Sequence, residues 1–336
     1  MPHYCTLIPG DGIGPEVAQA AVRAVDATGI DIRWRRAELN ETIILEAGKT
    51  LPQYLLDSLN ETRVGLKGPV TTPIAGGFPS VNVQLRKTLD LFANVRPVKS
   101  LPGVKTRFSD LVIDMVIFRE NTEDLYSGLE QEIVKDVVTG LKVITRVASE
   151  RIARYAFQYA QRNGRKQVTA IHKANIMKLA DGLFLRCCRE TAEQFPHIKY
   201  KELIVDNASM QLVVRPEIFD VLLLPNLYGD IVSDLAAGLV GSLGIVPGAN
   251  MGEEHAVFEA VHGSAPDIAG QNKANPTAMM LSAVMMLTHF GETDASYRLQ
   301  TAVESVYREG KHLTGDVGGV ASTEEFTDAV IRNLKS

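Results

Sequence analysis

The 336-residue chain reads as an α/β protein. Short apolar runs of strand character alternate with amphipathic segments of helix length. The first such run passes through a glycine-rich turn into a helix that opens on proline. The chain is also longer than one hydrophobic core usually supports, so two domains or one large α/β unit are expected.

The elements follow in order. An apolar strand over 4–8 leads into Pro9-Gly10-Asp11-Gly12-Ile13-Gly14, too rich in glycine to be regular structure. Pro15 suits the first position of a helix over 15–28, which stops before Gly29. Alternation over 30–35 makes a second strand, and this β-α-β opening implies a parallel sheet. Further strands are expected at 112–118, 168–172, 201–205 and 221–224. Helices are expected at 150–163, 176–193, 276–290, 294–308 and 322–333. No repeat or low-complexity linker marks a domain boundary.

Composition removes several classes of function. Hydrophobic residues at 45% and charged residues at 22% fit a packed globule rather than long disorder. A net charge of -5 offers no basic field for nucleic acid or an anionic membrane. No apolar run approaches the roughly 18 residues of a spanning helix. Cys5, Cys187 and Cys188 form no paired framework, which suits a reducing compartment. The N-terminus lacks a basic stretch followed by an apolar one, so a cytoplasmic location is expected.

Candidate chemistry comes from four groups of residues. Gly10, Gly12 and Gly14 between strand and helix suggest either a dinucleotide fingerprint, though one residue short of G-x-G-x-x-G, or a purely structural turn. Arg86, Arg96 and Arg119 each adjoin an element that can fix them, and guanidiniums grip carboxylates in bidentate fashion; if they converge, the ligand carries two or three carboxylates. Asp230 and Asp234, spaced i, i+4 at the start of an apolar helix, share a face and repel. They require a cation, either a basic side chain or a hard divalent metal to which Asp206 adds an oxygen, unless they are simply helix N-terminal acids favoured by the dipole. Tyr126 and Lys173 are candidate proton carriers.

Six segments together resemble the decarboxylating β-hydroxyacid dehydrogenases, the family of isocitrate, homoisocitrate and 3-isopropylmalate dehydrogenases. They are Pro9-Gly10-Asp11-Gly12-Ile13-Gly14-Pro15, Leu91-Phe92-Ala93-Asn94-Val95-Arg96-Pro97, Arg119-Glu120-Asn121-Thr122-Glu123, His172-Lys173-Ala174-Asn175, the run from Asn226 to Asp234, and the run from His262 to Gly270. The resemblance covers essentially the whole chain. It implies two domains around a central cleft, not a standard Rossmann fold: 1–98 with 253–336 as the cofactor-binding domain, and 99–252 as the smaller domain carrying the dimer contact. The opening glycines then become a turn lining the cofactor cleft.

By the same resemblance the substrate meets Lys67, Ser80, Asn82, Arg86, Arg96 and Arg119. NAD meets Ile13, Thr72, Asn175, Glu259, His262, Gly263, Ser264, Ala265, Asp267, Ile268 and Asn275. Mg2+ or Mn2+ is held by Asp206, Asp230 and Asp234, with Tyr126 as the acid and Lys173 as the base. Lys173 and Asp206 would reach into the partner's cleft of a homodimer, which could pair further into a tetramer. Ser80 and Asn82 point to isocitrate, because a polar ligand needs polar partners; homoisocitrate, and then isopropylmalate, are the alternatives. Asp267 with Ile268 favours NAD, since a carboxylate accepts ribose hydroxyls and repels a 2'-phosphate. A non-catalytic regulatory subunit is the alternative of another class.

Overall fold

The computed structural model describes residues 2–48, 51–71 and 80–335. In chain order the strands and helices are β1 (His3–Ile8), α1 (Gly14–Asp26), β2 (Ile32–Arg36), α2 (Glu41–Glu46), α3 (Gln53–Thr62), β3 (Val64–Lys67), α4 (Val81–Thr88), β4 (Ala93–Lys99), β5 (Asp114–Glu120), β6 (Glu130–Val134), β7 (Val137–Gly140), α5 (Arg146–Arg162), β8 (Gln167–His172), α6 (Ala180–Ala192), β9 (Lys199–Ile204), α7 (Val205–Val214), β10 (Val221–Leu224), α8 (Asn226–Val240), β11 (Pro247–Met251), β12 (Ala256–Ala260), α9 (Thr277–His289), α10 (Thr293–Glu309) and α11 (Thr323–Lys335).

Ten of the described strands form one sheet in the order β2-β1-β3-β12-β11-β4-β5-β10-β8-β9. Its flanks are parallel, as the β-α-β opening requires. Its centre is not: β12–β11, β11–β4 and β4–β5 pair antiparallel. The expected parallel sheet is therefore a mixed one. β6 and β7 form a separate exposed hairpin.

The opening glycines act as a structural turn. Gly10 and Gly12 have φ of +82° and +58°. A Cβ on Gly10 would lie 2.0 Å from the Pro69 carbonyl oxygen, and one on Gly12 would lie 1.9 Å from that of Ser264. The turn thus packs directly against the two loops that follow β3 and β12.

Strand alternation decides which side chains reach the site. In β5, Val116 and Phe118 join the core under α5, while Met115 and Ile117 face the α8 side and Arg119 continues their row. In β4, Val95 points to the α5 core, whereas Asn94 and Arg96 point the other way. The pleat therefore lines one face of the antiparallel centre with polar groups.

Candidate active site

On that face lies a cavity of about 300 Å³, lined among others by Lys67, Ser80, Asn82, Arg86, Arg96, Arg119, Tyr126, Asp230, Glu259, His262 and Gly263. The three arginines therefore converge. Arg86 arrives from α4, Arg96 from β4 and Arg119 from the end of β5, all three buried.

Burying a guanidinium costs several kcal/mol unless it is paired, and each has acidic or polar partners. Arg119 donates through Nε to Asn226 Oδ1 at 2.8 Å and through Nη1 to Asp230. Arg96 donates through Nη1 to Ser233 Oγ at 2.5 Å and to Asp234 at 3.2 Å. Arg86 meets Glu259 at 3.3 Å, and Lys67 meets the other oxygen of that carboxylate at 2.6 Å. Burial alone would raise the Glu259 carboxyl, yet Lys67 and Arg86, with a hydrogen bond from Asn250, hold it well below the usual carboxylate range.

The pairing is incomplete. Four cations face three carboxylates, and among the described residues Arg86 Nε, Arg96 Nε, Arg119 Nη2 and Asn82 Oδ1 are buried with no acceptor or donor. Burial, with Arg86 close by, pulls the Arg119 guanidinium down to about 10 against the opposing pull of Asp230. Such a cavity suits an anion bearing several oxygens, because that ligand would satisfy the orphaned N–H groups.

α8 delivers the acids. Gly229 allows it to approach: a Cβ there would lie 2.5 Å from Arg119 Cγ. Tyr126 donates its hydroxyl to Asp230, and its ring lies 4.9 Å from the Arg119 guanidinium. Burial, and then that hydrogen bond, raise the Tyr126 phenol above its ordinary value and keep it protonated. Burial would raise Asp230, but Arg119, Tyr126 and Arg96 bring it below its ordinary value. Burial raises Asp234.

Lys173 and Asp206 lie elsewhere. Lys173 follows β8, Asp206 sits in the first turn of α7, and they pair at 2.5 Å in an exposed position away from the cavity lining. Asn175 is exposed on the same loop as Lys173. Among the described residues no group of three or more His, Cys, Asp or Glu is placed to hold a metal. The donor chemistry nevertheless fits a hard divalent cation, because Asp230 and Asp234 present carboxylate oxygens on one helical face.

The residues expected around the cofactor fall into two sets. His262 and Gly263 line the cavity, and His262 Nε2 is buried without a partner among the described residues, as a ligand-facing group would be. Ile13 donates its N–H to Ser264 O at 2.9 Å, which joins the glycine turn to the loop after β12. Ala265 takes a left-handed φ of 38°, and Asp267 with Ile268 follows in a short 3-10 turn where Asp267 is exposed. Asn275 is engaged internally with Tyr307, Asp316 and the Thr277 N–H. Glu259 serves as the counter-ion of Lys67 and Arg86. Thr72 lies outside the described residues.

Sequence reasoning missed the carboxamides beneath the cavity. Asn94 and Asn121 both donate to Asn250 Oδ1, at 2.9 and 3.0 Å, and Asn250 in turn donates to Glu259. The signal available was Asn94 beside Arg96 in a strand, where a polar residue needs a buried partner.

Comparison with known proteins agrees with this geometry. The model of the isocitrate/isopropylmalate dehydrogenase family matches residues 4–330. The chain is 52% identical over 330 residues to a mitochondrial isocitrate dehydrogenase (NAD) regulatory subunit of Dictyostelium discoideum, covering 98% of this chain and 91% of that protein. It is 52% identical over 334 residues to the mitochondrial isocitrate dehydrogenase (NAD) catalytic subunit 5 of Arabidopsis thaliana, covering 99% and 89%. The crystal structure of isocitrate dehydrogenase from Methylococcus capsulatus superposes with a TM-score of 0.95 at 48% identity, covering 99% of this chain and 100% of that one. These matches correct one expectation: both eukaryotic relatives are mitochondrial isozymes, which overturns the cytoplasmic placement. One catalytic and one regulatory relative stand at the same identity, so the role of this chain has to be argued from its site residues.

Proposed function

The chain belongs to the isocitrate/isopropylmalate dehydrogenase family, and from that premise we propose that it catalyses NAD-dependent oxidative decarboxylation of isocitrate to 2-oxoglutarate and CO2. The observation that carries this reading is the convergence of Arg86, Arg96 and Arg119 on one cavity with guanidinium nitrogens left unsatisfied. A tricarboxylate supplies the missing acceptors. Ser80 and Asn82 at the α4 end present a hydroxyl and an amide N–H to the distal carboxylate, where an alkyl chain would leave these donors without an acceptor.

The chain's own residues then divide the work. The arginines bind and orient the carboxylates, which leaves the C2 hydroxyl and the C3 carboxylate near α8. Lys173 of the partner subunit takes the C2 hydroxyl proton, through water or directly. Tyr126, held protonated by burial and Asp230, returns a proton to C3 after CO2 has left. Mg2+ or Mn2+, at Asp230 and Asp234 with Asp206 of the partner subunit, would supply positive charge that lowers the hydroxyl pKa and draws electrons from the decarboxylating carbon. NAD, beside the glycine turn and the 262–275 segment, would accept the hydride, with Asp267 disfavouring a 2'-phosphate.

A second copy is part of this reading, because Lys173 and Asp206 do not line their own chain's cavity. Large apolar side chains lie exposed on α7 (Met210, Val213, Val214), on α8 (Ile231) and on the β6–β7 hairpin (Ile133, Val134, Val137, Val138). We place the two domains at 1–98 with 253–336 and at 99–252, so that this surface belongs to the second. A regulatory role, which one relative's name raises, calls for a missing acid, base or carboxylate donor. Tyr126, Lys173, Asp206, Asp230 and Asp234 are all present.

The test is NADH formation with isocitrate, homoisocitrate, isopropylmalate and malate, each with NAD and Mg2+, and with NADP as the cofactor control. Isocitrate with NAD should give the highest rate. A preference for isopropylmalate would reverse the assignment of Ser80 and Asn82. Isocitrate binding with no NADH would assign the chain a regulatory role.

A further inference from the structure

Outside the cavity, one buried ammonium touches three segments that carry the proposed chemistry. Lys142 follows β7, and its side chain is 5% exposed. Its Nζ lies 2.6 Å from Asp181 Oδ1 and 3.7 Å from Asp124 Oδ1, and both aspartate side chains are fully buried. The same ammonium sits 4.2 Å from the Tyr228 ring centroid.

Each partner reaches onward to a different segment. Asp181, in the first turn of α6, accepts the Lys173 backbone N–H through Oδ2 at 2.6 Å. Asp124 accepts the Leu227 N–H through Oδ2 at 2.9 Å, in the first turn of α8, which brings Asp230. Asp124 itself has a φ of 72°, and the 3-10 turn that follows it, Leu125–Ser127, carries Tyr126. Asp124 Oδ1 has no hydrogen-bond partner among the described residues, so the Lys142 ammonium supplies the opposing charge.

A buried ion triad is a weak source of stability, because desolvating three charges offsets most of their attraction. Its use is geometric: it fixes directions that an apolar core would leave loose. We infer that Lys142 is a positioning residue that, through Asp181, Asp124 and Tyr228, sets Lys173, Tyr126 and Asp230 in their working places. The inference rests on the proposed reaction for its catalytic meaning and on backbone geometry alone for its structural meaning.

Removing Lys142 by itself leaves two buried carboxylates opposed, so two double variants that keep the triad's net charge are the right probes. In Lys142→Met/Asp124→Asn the acceptor of the Lys173 amide is intact, and in Lys142→Met/Asp181→Asn that of the Leu227 amide is intact. Hydrogen exchange at those two amides then reports on Lys142 rather than on a lost acceptor. In the unaltered protein both amides should exchange slowly. In the matching variant the reporter amide should exchange about tenfold faster. The kcat for isocitrate with NAD should fall about tenfold or more, while KM for isocitrate moves less than about threefold.

Wild-type exchange and kcat in either folded variant would overturn the inference, and so would fast exchange of both amides in the unaltered protein. A lowered melting temperature with kcat retained would reduce Lys142 to a structural part and overturn it as well. If the unaltered protein forms no NADH, the proposed function fails on its own, and the exchange measurements still decide the positioning claim.

Discussion

The arginine cavity and the Lys173–Asp206 loop handle charge in opposite ways. In the cavity, every cation is buried and has a counter-ion or a polar partner from another segment of the same chain. Their geometry is set before any ligand arrives. Asp206 is exposed and Lys173 partly so, and among the described residues they have only each other as an ion pair, at 2.5 Å. The contrast separates the part of the site that one chain completes from the part that, in the proposed reaction, a neighbouring copy completes. Burial fixes the first by the cost of any unpaired charge, whereas a solvent-screened pair of this kind is worth little and is readily exchanged for other partners.

The most severe way to break this contrast is to alter the acid that Arg96, Arg119 and Tyr126 all meet. Asp230→Asn removes the counter-ion of Arg119 and half the α8 donor pair. Turnover should drop by about a thousandfold or more, read as initial NADH rate across a Mg2+ titration; full activity would refute the role of α8. Next comes Gly229→Ala, whose Cβ would collide with the Arg119 side chain. It should cost about 1–3 kcal/mol of stability by overpacking and raise KM for isocitrate, checked by denaturant melts and kinetics. Unchanged KM would detach Arg119 from substrate binding.

The smallest effect concerns Glu123, in the same Arg119–Glu123 segment but behind the cavity. Burial, opposed by the Thr145 backbone and hydroxyl donors, lifts its carboxyl from 4.5 to about 7. The folded state therefore holds this proton more tightly than the unfolded chain does. Its stabilising contribution is full below about 4.5 and is lost as pH rises through about 7. Across that window the loss is on the order of 3 kcal/mol at most. Glu123→Gln should flatten the pH dependence of unfolding between those limits, with activity nearly retained. An unchanged slope would mean that the carboxyl ionises freely.

Much of this contrast was legible in the sequence, because local spacing carries it. The opening strand, glycine turn and helix follow from apolar period and from proline at the helix start, and the terminal helices appear within two residues of their expected ends. Asp230 and Asp234 were correctly placed on one helix. The antiparallel centre of the sheet was not legible, since β11 and β12 are short and buried on both faces and so show no alternation, and in β4 the polar Asn94 and Arg96 are themselves buried. The helix expected from 176 begins at Ala180, because Lys173 to Leu179 is held in turns by the Asp181 carboxylate. The convergence of the arginines came only through resemblance, because no local rule brings residues 86, 96 and 119 together. The carboxamides under Glu259 and the Lys142 triad escaped for the same reason, as each contact spans many residues of chain.

A mixing experiment tests the shared site most directly. In the proposed reaction, Asp230→Asn would disable a copy's own cavity and Lys173→Met the cavity of its neighbour. Each variant alone should be inactive. Unfolded and refolded together in equal amounts, they should regain about a quarter of wild-type turnover, because half the dimers are mixed and each carries one intact site. A mixture as inactive as either variant alone would contradict completion of the site by a second copy.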